Sequence, residues 1–415
     1  MTNNTTPIPD GWTETTLGEV CEKIGDGLHG TPIYSVNGEY YFVNGNNIKD
    51  GKLIIKADTK KVNEQQLQKH KKDIGKNTIL LSINGTIGNL AKYNNEKCIL
   101  GKSAAYLNIK DTISKDYIYY LMLDHKFQYD ISRNANGSTI KNVSLAQLRN
   151  YQFFIPPLPQ QKQIASILSS LDDKIELLRE QNKTLEATAQ TIFHEWFGKY
   201  SVSKPEELPE GWRVHSLSEY VKTVNGYSYK GKELVESSEK ALVTLKSFNR
   251  HGGFQTRGFK SFKGSPKESQ EVQIGDLIVA HTDLTQDADV LGNPAIIFDN
   301  AGFSKMYITM DLVKVEPSQD WMTKSFLYYL MKTRYFKHHC VGYSNGTTVL
   351  HLSKKAIINY EIVLPNDKDL VIKFSKIADK TTSKIAMNVK QIQTLSKTRD
   401  IILPKLMSGK ITARR

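Results

Sequence analysis

Cysteine is scarce: three among 415 residues, at Cys21, Cys98 and Cys340. They are too few and too scattered for a disulfide framework or a thiolate metal site. No apolar run approaches the roughly 18–20 residues a membrane helix needs. The opening MTNNTTPIPD lacks the basic stretch and apolar core of a secretory signal. Gly101-Lys102-Ser103 has the second half of a phosphate loop, but Glu96 occupies the position that needs glycine, so the loop cannot close. Pro156-Pro157 lies between Ile155 and Leu158, which offer neither the amide nor the stacking ring of an adenine-methylating motif. Asp10 and Asp58-Thr59-Lys60 are spaced too loosely for a carboxylate–lysine nuclease centre. His338-His339-Cys340 falls near a helix end, where adjacent residues diverge by about 100° and do not share a metal. It reads as a structural histidine and a buried thiol. The expectation is a cytoplasmic binding protein with no catalytic group, metal or cofactor of its own.

The composition, 39% hydrophobic and 24% charged, belongs to folded domains, and the length suits two or three of them. Lys and Arg outnumber Asp and Glu by 56 to 43, a net charge of +13 that suits a polyanionic partner such as DNA without requiring one. Twelve basic and four acidic residues lie beyond residue 365, so most of that surplus is C-terminal.

The chain repeats itself. Pro9-Asp10-Gly11-Trp12 returns as Pro209-Glu210-Gly211-Trp212, and Ile74-Gly75 as Ile274-Gly275, both at an offset of 200. At an offset of 209, Tyr119-Tyr120-Leu121-Met122 returns as Tyr328-Tyr329-Leu330-Met331, and Asn136-Gly137 with Thr139 returns as Asn345-Gly346 with Thr348. An ordered series at nearly constant offset marks an internal duplication. In each copy, short β-rich runs (38–43, 78–83, 241–245, 277–280, 295–298) accompany one helix, near 117–126 or 324–337. A proline-bearing boundary then leads into a long helical segment.

In the first of these segments Ile164, Leu168, Leu171, Ile175, Leu178, Asn182, Leu185, Ala189, Ile192 and Trp196 keep a 4-3 spacing, a heptad seam interrupted by one asparagine. Residues 160–197 contain no glycine or proline, enough for a helix roughly 55 Å long. The second seam, Val371, Phe374, Ala378, Thr381, Ile385, Asn388, Ile392, Leu395, Arg399, Ile402 and Leu406, is more polar, and Pro404 should break or kink its last turn. Two such stripes, each following a duplicated globular part, predict an antiparallel helix pair. The fold class is therefore mixed α/β, with two tandem pseudo-symmetric domains separated by two long, coiled-coil-like helices. The segments are 1–158, 159–200, 201–365 and 366–415.

Three sets of residues suit a polyanion. The acid-free stretch 240–267 carries Lys246, Arg250, Arg257, Lys260 and Lys263, interleaved with Phe248, Phe254, Phe259 and Phe262. Such cations neutralise phosphates, and Arg also pairs with guanine edges. A solvated loop whose phenylalanines belong to the core has the same composition. Lys49, Lys52, Lys60 and Lys61 occupy the corresponding part of the first copy; the lysines beyond Val62 fit an exposed helix face. The duplicated polar loop supplies Arg133, Asn136, Ser138, Thr139 and Lys141 in one copy, and Asn345, Thr347, Thr348 and His351 in the other. A third pair of loops brings Asn84 and Thr86 in one copy, and His281, Thr282, Thr285 and Gln286 in the other. These amides and hydroxyls suit phosphates or base edges, and equally suit ordinary turns.

The ordered set resembles the specificity subunits of type I restriction–modification systems over essentially the whole chain. The carrying features are the Pro-x-Gly-Trp entries, the Ile-Gly-led strands, the Asn-Gly-Ser-Thr and Asn-Gly-Thr-Thr loops, and Ile155-Pro156-Pro157-Leu158-Pro159-Gln160-Gln161 leading into a long helix. The family commonly has Glu-Gln where Gln160-Gln161 stands, and Leu364-Pro365-Asn366-Asp367-Lys368 departs further from its pattern. The resemblance implies two target-recognition domains, each reading one half of an interrupted, asymmetric site in double-stranded DNA. It implies that the helices set the unread spacer and dock two methyltransferase subunits, with two translocase–nuclease subunits joining. S-adenosylmethionine, ATP and magnesium would belong to those partners. Half-sites on one face of B-DNA lie about 34 Å apart, which helices of this length can span. The alternative is a solitary DNA-binding or scaffolding protein that bridges other partners through the helix pair.

Overall fold

The computed structural model describes residues 8–135, 141–248 and 253–412. The chain forms two compact units, one of residues 1–174 with 394–415 and one of residues 175–393. Two long helices, Leu158–Phe197 and Asp369–Met407, each contribute to both.

In the first unit, strands Cys21–Asp26, Ala104–Ile109, Thr78–Ser82 and Leu90–Lys92 make an antiparallel sheet in that order. All five residues of Thr78–Ser82 are buried, because each face of the strand meets a separate core. Ile79 and Leu81 pack with Tyr117, Ile118 and the helix residues Ile164 and Leu168, while Leu80 packs with Val43, Ile48 and Leu100. The period-2 alternation of a strand divides one apolar run between two cores. A smaller sheet pairs Tyr40–Val43 antiparallel with Lys61–Val62 and parallel with Cys98–Leu100. Thr13–Thr16 pairs with Gln152–Ile155, joining the start of the globular part to its end.

The second unit repeats this plan. Its four-stranded sheet is Val221–Asn225, Leu312–Pro317, Leu277–Ala280 and Pro294–Ile296. Leu277 and Val279 face the core that holds Phe326 and Phe374; Ile278 and Ala280 face the one that holds Val243 and Ile308. Lys240–Val243 pairs antiparallel with Lys260–Ser261 and parallel with Lys305–Ile308, and Trp212–Ser216 pairs with Glu361–Pro365. The repeated Pro-x-Gly-Trp entry is a turn. Gly11 and Gly211 take φ of 79° and 80°, and the tryptophan N–H of each copy bonds the proline carbonyl, at 3.1 and 3.0 Å. A left-handed φ at that place favours glycine.

Two expectations need correction. Each copy carries two short helices where one was expected: Lys115–Leu123 and His125–Arg133, then Lys324–Met331 and Arg334–Gly342. Asp124 at ψ 143° and Thr333 at ψ 149° are extended, and the Thr333 hydroxyl caps the next helix by accepting from Phe336 N at 3.3 Å. Of the break or kink expected at Pro404, the break does not occur, and the helix runs on to Met407. Leu403, Leu406 and Met407 are buried in the core of the first unit, and that burial outweighs the one N–H that proline removes.

The expected seam residues divide between buried and half-buried positions. In the first unit Ile164 and Leu168 are buried and Leu171 and Ile402 half-buried, and Arg399 donates to Asp172 at 2.7 Å. In the second, Ile175, Leu178 and Ile385 are buried and Leu185, Ile192 and Ile392 half-buried. Phe193 of one helix stacks edge-on to Phe374 of the other, at 5.2 Å between ring centroids. Leu395 is half-buried. Within the second unit Asn182 meets Asn388 and Phe193 meets Phe374, so the helices run antiparallel there; within the first unit Asp172 meets Arg399. The seam serves the globular parts as well as the helix pair: Ile164 and Leu168 also pack on the Tyr117 helix, and Phe193 on Phe326.

Candidate nucleic-acid interface

In the first unit Lys49 and Lys52 are register partners on a two-residue hairpin, Ile48–Lys49 with Lys52–Leu53. Asp50 and Gly51 at its tip take φ of 51° and 80°, the positive pair that a tight hairpin turn demands. Lys49 and Lys52 are exposed, as is Lys60. Lys61 is half-buried, its Nζ 5.4 Å from the centre of the Tyr41 ring. Of the lysines beyond Val62, Lys69 lies in the helix Glu64–His70, and Lys71 and Lys72 follow its end.

Two loops distant in sequence meet in this unit. Asn84 forms an antiparallel bridge with Asn142, Val143 N donates to Ile83 O at 2.9 Å, and Gly85 N donates to Lys141 O at 3.2 Å. Asn84 is half-buried, while Thr86, Lys141 and Arg133 at its helix end are exposed. The expected contacts at Asn136, Ser138 and Thr139 lie outside the described residues.

The second unit has the same junction. Thr282 pairs with His351 and Asp283 with Leu350, and Leu352 N donates to His281 O at 2.8 Å. The strand Leu350–Leu352 also takes Ser344–Asn345 as a partner, with Asn345 opposite His351. Asn345, Thr347, Thr348, His351 and Gln286 are exposed, and Gln286 Nε2 donates to Thr347 O at 2.7 Å.

Not every expected contact residue faces outward. Thr282 is 4% exposed and its hydroxyl donates to Asp311 at 3.1 Å. Thr285 is half-buried and donates both its N–H and its hydroxyl to Asp283, at 2.8 and 2.9 Å. Both threonines hold the loop rather than present a hydroxyl to a ligand, because a carboxylate of the unit accepts from each, half-buried Asp311 from Thr282 and buried Asp283 from Thr285. His281 is half-buried, and burial, followed by the nearby His351 and Lys354, lowers its pKa below the usual imidazole value.

Asp283, which sequence reasoning passed over, organises this loop. It is 2% exposed and also accepts from Val290 N at 2.6 Å and Leu291 N at 3.0 Å. Burial pushes its carboxyl upward, but these N–H and hydroxyl donors outweigh it and hold the group below its ordinary range. Lys337 completes the arrangement by donating to Leu291 O at 2.6 Å and Asn293 Oδ1 at 2.9 Å. Asp283-Leu284-Thr285 is a side-chain turn whose signature is visible in sequence; the reach of Asp283 to Val290 and Leu291 is not.

In the described part of the second unit's basic stretch, two turns, Leu245–Ser247 and Thr256–Gly258, pack together between the strands Lys240–Val243 and Lys260–Ser261. Gln255 N donates to Ser247 O at 2.9 Å, and Thr244 Oγ1 donates to Gly258 O at 2.8 Å. Lys246 and Arg257 stand exposed on these turns, and Lys263 is exposed beyond them. Lys260 is half-buried, its Nζ 3.2 Å from the Tyr229 hydroxyl. Arg250 lies outside the described residues. The phenylalanines do not form a stacking surface: Phe248 and Phe262 are buried, and Phe254 and Phe259 pack on the core beneath. Thr309 and Asp311 link these turns to the junction. Thr309 N donates to Val243 O at 3.0 Å, and His281 N donates to Asp311 O at 2.7 Å. The first unit has the equivalent bonds, Gly101 N to Val43 O at 2.8 Å and Ile83 N to Ser103 O at 3.0 Å.

Among the described residues no group of three or more His, Cys, Asp and Glu is placed to hold a metal ion. Cys21, Cys98 and Cys340 are buried and unpaired, with burial pushing each thiol up to about 12. His339 stacks on Tyr343 and its Nε2 lies 2.8 Å from Ala356 O, the structural role expected of it. No helix among the described residues is long and apolar enough to cross a membrane.

Comparison with known proteins bears on this architecture. Residues 9–187 match the type I restriction modification DNA specificity domain. The chain is 27% identical to the type I restriction enzyme MjaIX specificity subunit of Methanocaldococcus jannaschii, over 81% of this chain and 78% of the relative. It is 24% identical to the MjaVIII specificity subunit of the same organism, over 97% and 94%. Its fold is similar to the crystal structure of the type I restriction–modification S subunit from M. genitalium, with a TM-score of 0.58 at 20% identity, over 98% of each chain. Residues 9–187 are thus similar to the type I restriction modification DNA specificity domain, and the chain as a whole resembles the specificity subunits of type I restriction–modification systems.

Proposed function

We propose that this chain is the DNA-reading specificity subunit of a type I restriction–modification complex and is not itself catalytic. The observation that carries the reading is the repeated junction. Asn84 with Asn142 and Thr282 with His351 stand on the same backbone pairing in the two units, with unlike side chains. A duplicated scaffold with diverged exposed residues suits two unlike half-sites. Each unit reads one half of a bipartite, asymmetric site in double-stranded DNA. The long helices fix the spacer and dock two methyltransferase subunits, to which two translocase–nuclease subunits add. S-adenosylmethionine, ATP and magnesium are bound by those partners. Exposed Lys49, Lys60, Lys246, Arg257 and Lys263 supply phosphate contacts that position the protein without carrying sequence information.

The test is selection of duplexes from a randomised library by the full-length chain, alone and with its co-purified partners. Two conserved stretches separated by a fixed unread gap are expected. Enrichment of a single continuous site, or of none, would overturn the proposal.

A further inference from the structure

We infer that Asn142 and His351 are equivalent base-reading positions, one per half-site, and that they make the two half-sites chemically different. The inference rests on the DNA-reading role proposed above and assigns it to particular side chains. Asn142 was not among the residues singled out from the sequence.

The equivalence is geometric. The two positions are 209 apart, the offset that relates Tyr119 to Tyr328. Each bridges the loop that follows the central strand, Asn142 to Asn84 and His351 to Thr282. In each the next residue, Val143 or Leu352, donates its N–H to the residue before that partner, Ile83 or His281. Val143 and Leu352 are 1% and 3% exposed. Successive strand residues point to opposite faces, so burial of Val143 and Leu352 turns Asn142 and His351 outward, and both are exposed.

Each stands in a short polar row. Residues directly opposite across an antiparallel pair share a face, with Cβ atoms about 5 Å apart. Asn142 is paired in this way with Asn84, and His351 with Asn345. Among the described residues the side chains of Asn142, Asn345 and His351 make no hydrogen bond, which leaves their donors and acceptors for a ligand. Behind the second row, Asp283 holds the loop to which His351 is bridged, as a base-reading element requires.

The rows differ in what they can read. Two carboxamides side by side offer a donor and an acceptor together, the complement of the N6 donor and N7 acceptor on the major-groove edge of adenine. The second row sets a single carboxamide, Asn345, beside the His351 imidazole, whose ring N–H suits the N7 or O6 acceptor of guanine. A two- or three-stranded ribbon of this size is a known way of presenting side chains to a groove.

The experiment repeats the library selection with full-length Asn142→Ala, His351→Ala and His351→Asn variants, each first matched to the parent in thermal midpoint. His351→Ala is expected to relax preference at one base position of one half-site by roughly tenfold, leaving the other half-site unchanged. Asn142→Ala should do the same in the opposite half-site, and His351→Asn should shift the affected position toward adenine. Variants that bind every sequence more weakly with unaltered preferences would overturn the inference, since that is the signature of a phosphate contact or a scaffold role. Enrichment of no sequence by the parent chain would instead remove the DNA-reading role, and this inference with it.

Discussion

Asn388 donates from Nδ2 to Asn182 Oδ1 at 2.8 Å, and to the neighbouring Gln181 Oε1 at 2.9 Å, in the middle of a seam otherwise largely apolar. Asn388 is 1% exposed and its own Oδ1 has no partner among the described residues. An amide pair at seam positions, Asn388 buried and Asn182 half-buried, selects one register, because a slip leaves the amides facing apolar side chains. Replacing both by leucine should raise the thermal midpoint, by an effect on the order of 1–2 kcal/mol, while weakening the register constraint. Thermal unfolding of the double variant checks this; a lower midpoint would show that the amide pair stabilises on balance.

The long helices are tied to the short ones by acids. Asp172 accepts from Arg399 at 2.7 Å and from the Tyr120 hydroxyl at 2.8 Å; Glu186 accepts from Lys332 at 2.6 Å and from the Tyr328 hydroxyl. Asp172 and Arg399 are each 28% exposed, so the pair is partly shielded from salt. Arg399→Met should destabilise the first unit by about 1–2 kcal/mol, leaving a carboxylate short of its charged partner. The loss should reappear as a lower thermal midpoint whose dependence on salt is also reduced.

Asp283 makes loop stability pH-dependent. Its folded pKa lies below the ordinary carboxylate value of 3.8, so its contribution is present above that value and lost as pH falls through the folded pKa. Asp283→Asn should cost about 2 kcal/mol near neutral pH and flatten the acid limb of the stability profile. Hydrogen exchange at Thr285, Val290 and Leu291 N–H reports the local effect, and unchanged protection would refute the role assigned here.

Lys246 and Arg257 stand exposed on adjoining turns. Changing both to alanine should weaken DNA binding about equally for all sequences and reduce the salt slope by about 2, one for each phosphate no longer neutralised. Binding isotherms across salt concentrations decide this, and an unaltered slope would remove these turns from the interface.

Insertion of one heptad into the helix Leu158–Phe197 should change the preferred spacer or abolish specific binding, with the half-site bases retained. Selected sequences with altered half-sites and the old spacer would rule out a measuring role for the helices.

The duplication was legible as an ordered self-similarity at offsets of 200 and 209, and the mixed α/β class and the two long helices from local periodicity. Heptad spacing and the Gly11 and Gly211 turns need no knowledge of distant partners. Pro404 shows the limit of that reading: its local effect is to break a helix, but burial of Leu403, Leu406 and Met407 overrode it. The candidate interface was legible as composition and not as placement. Thr282 and Asn345 are both small and polar in sequence; only the fold buries one against Asp311 and exposes the other beside His351. The phenylalanines of 248–262 likewise belong to the core, since a strand pairing invisible in local pattern folds them inward.

What the sequence determined by itself is what short-range physics determines: a repeat, its helix seams, its turns and a chain without cysteine chemistry. Only the tertiary structure decided which loops meet. Residues 84 and 142, or 282 and 351, are joined by backbone bonds between segments more than fifty residues apart. That pairing depends on the sheets and cores between them, and no local window of residues contains it.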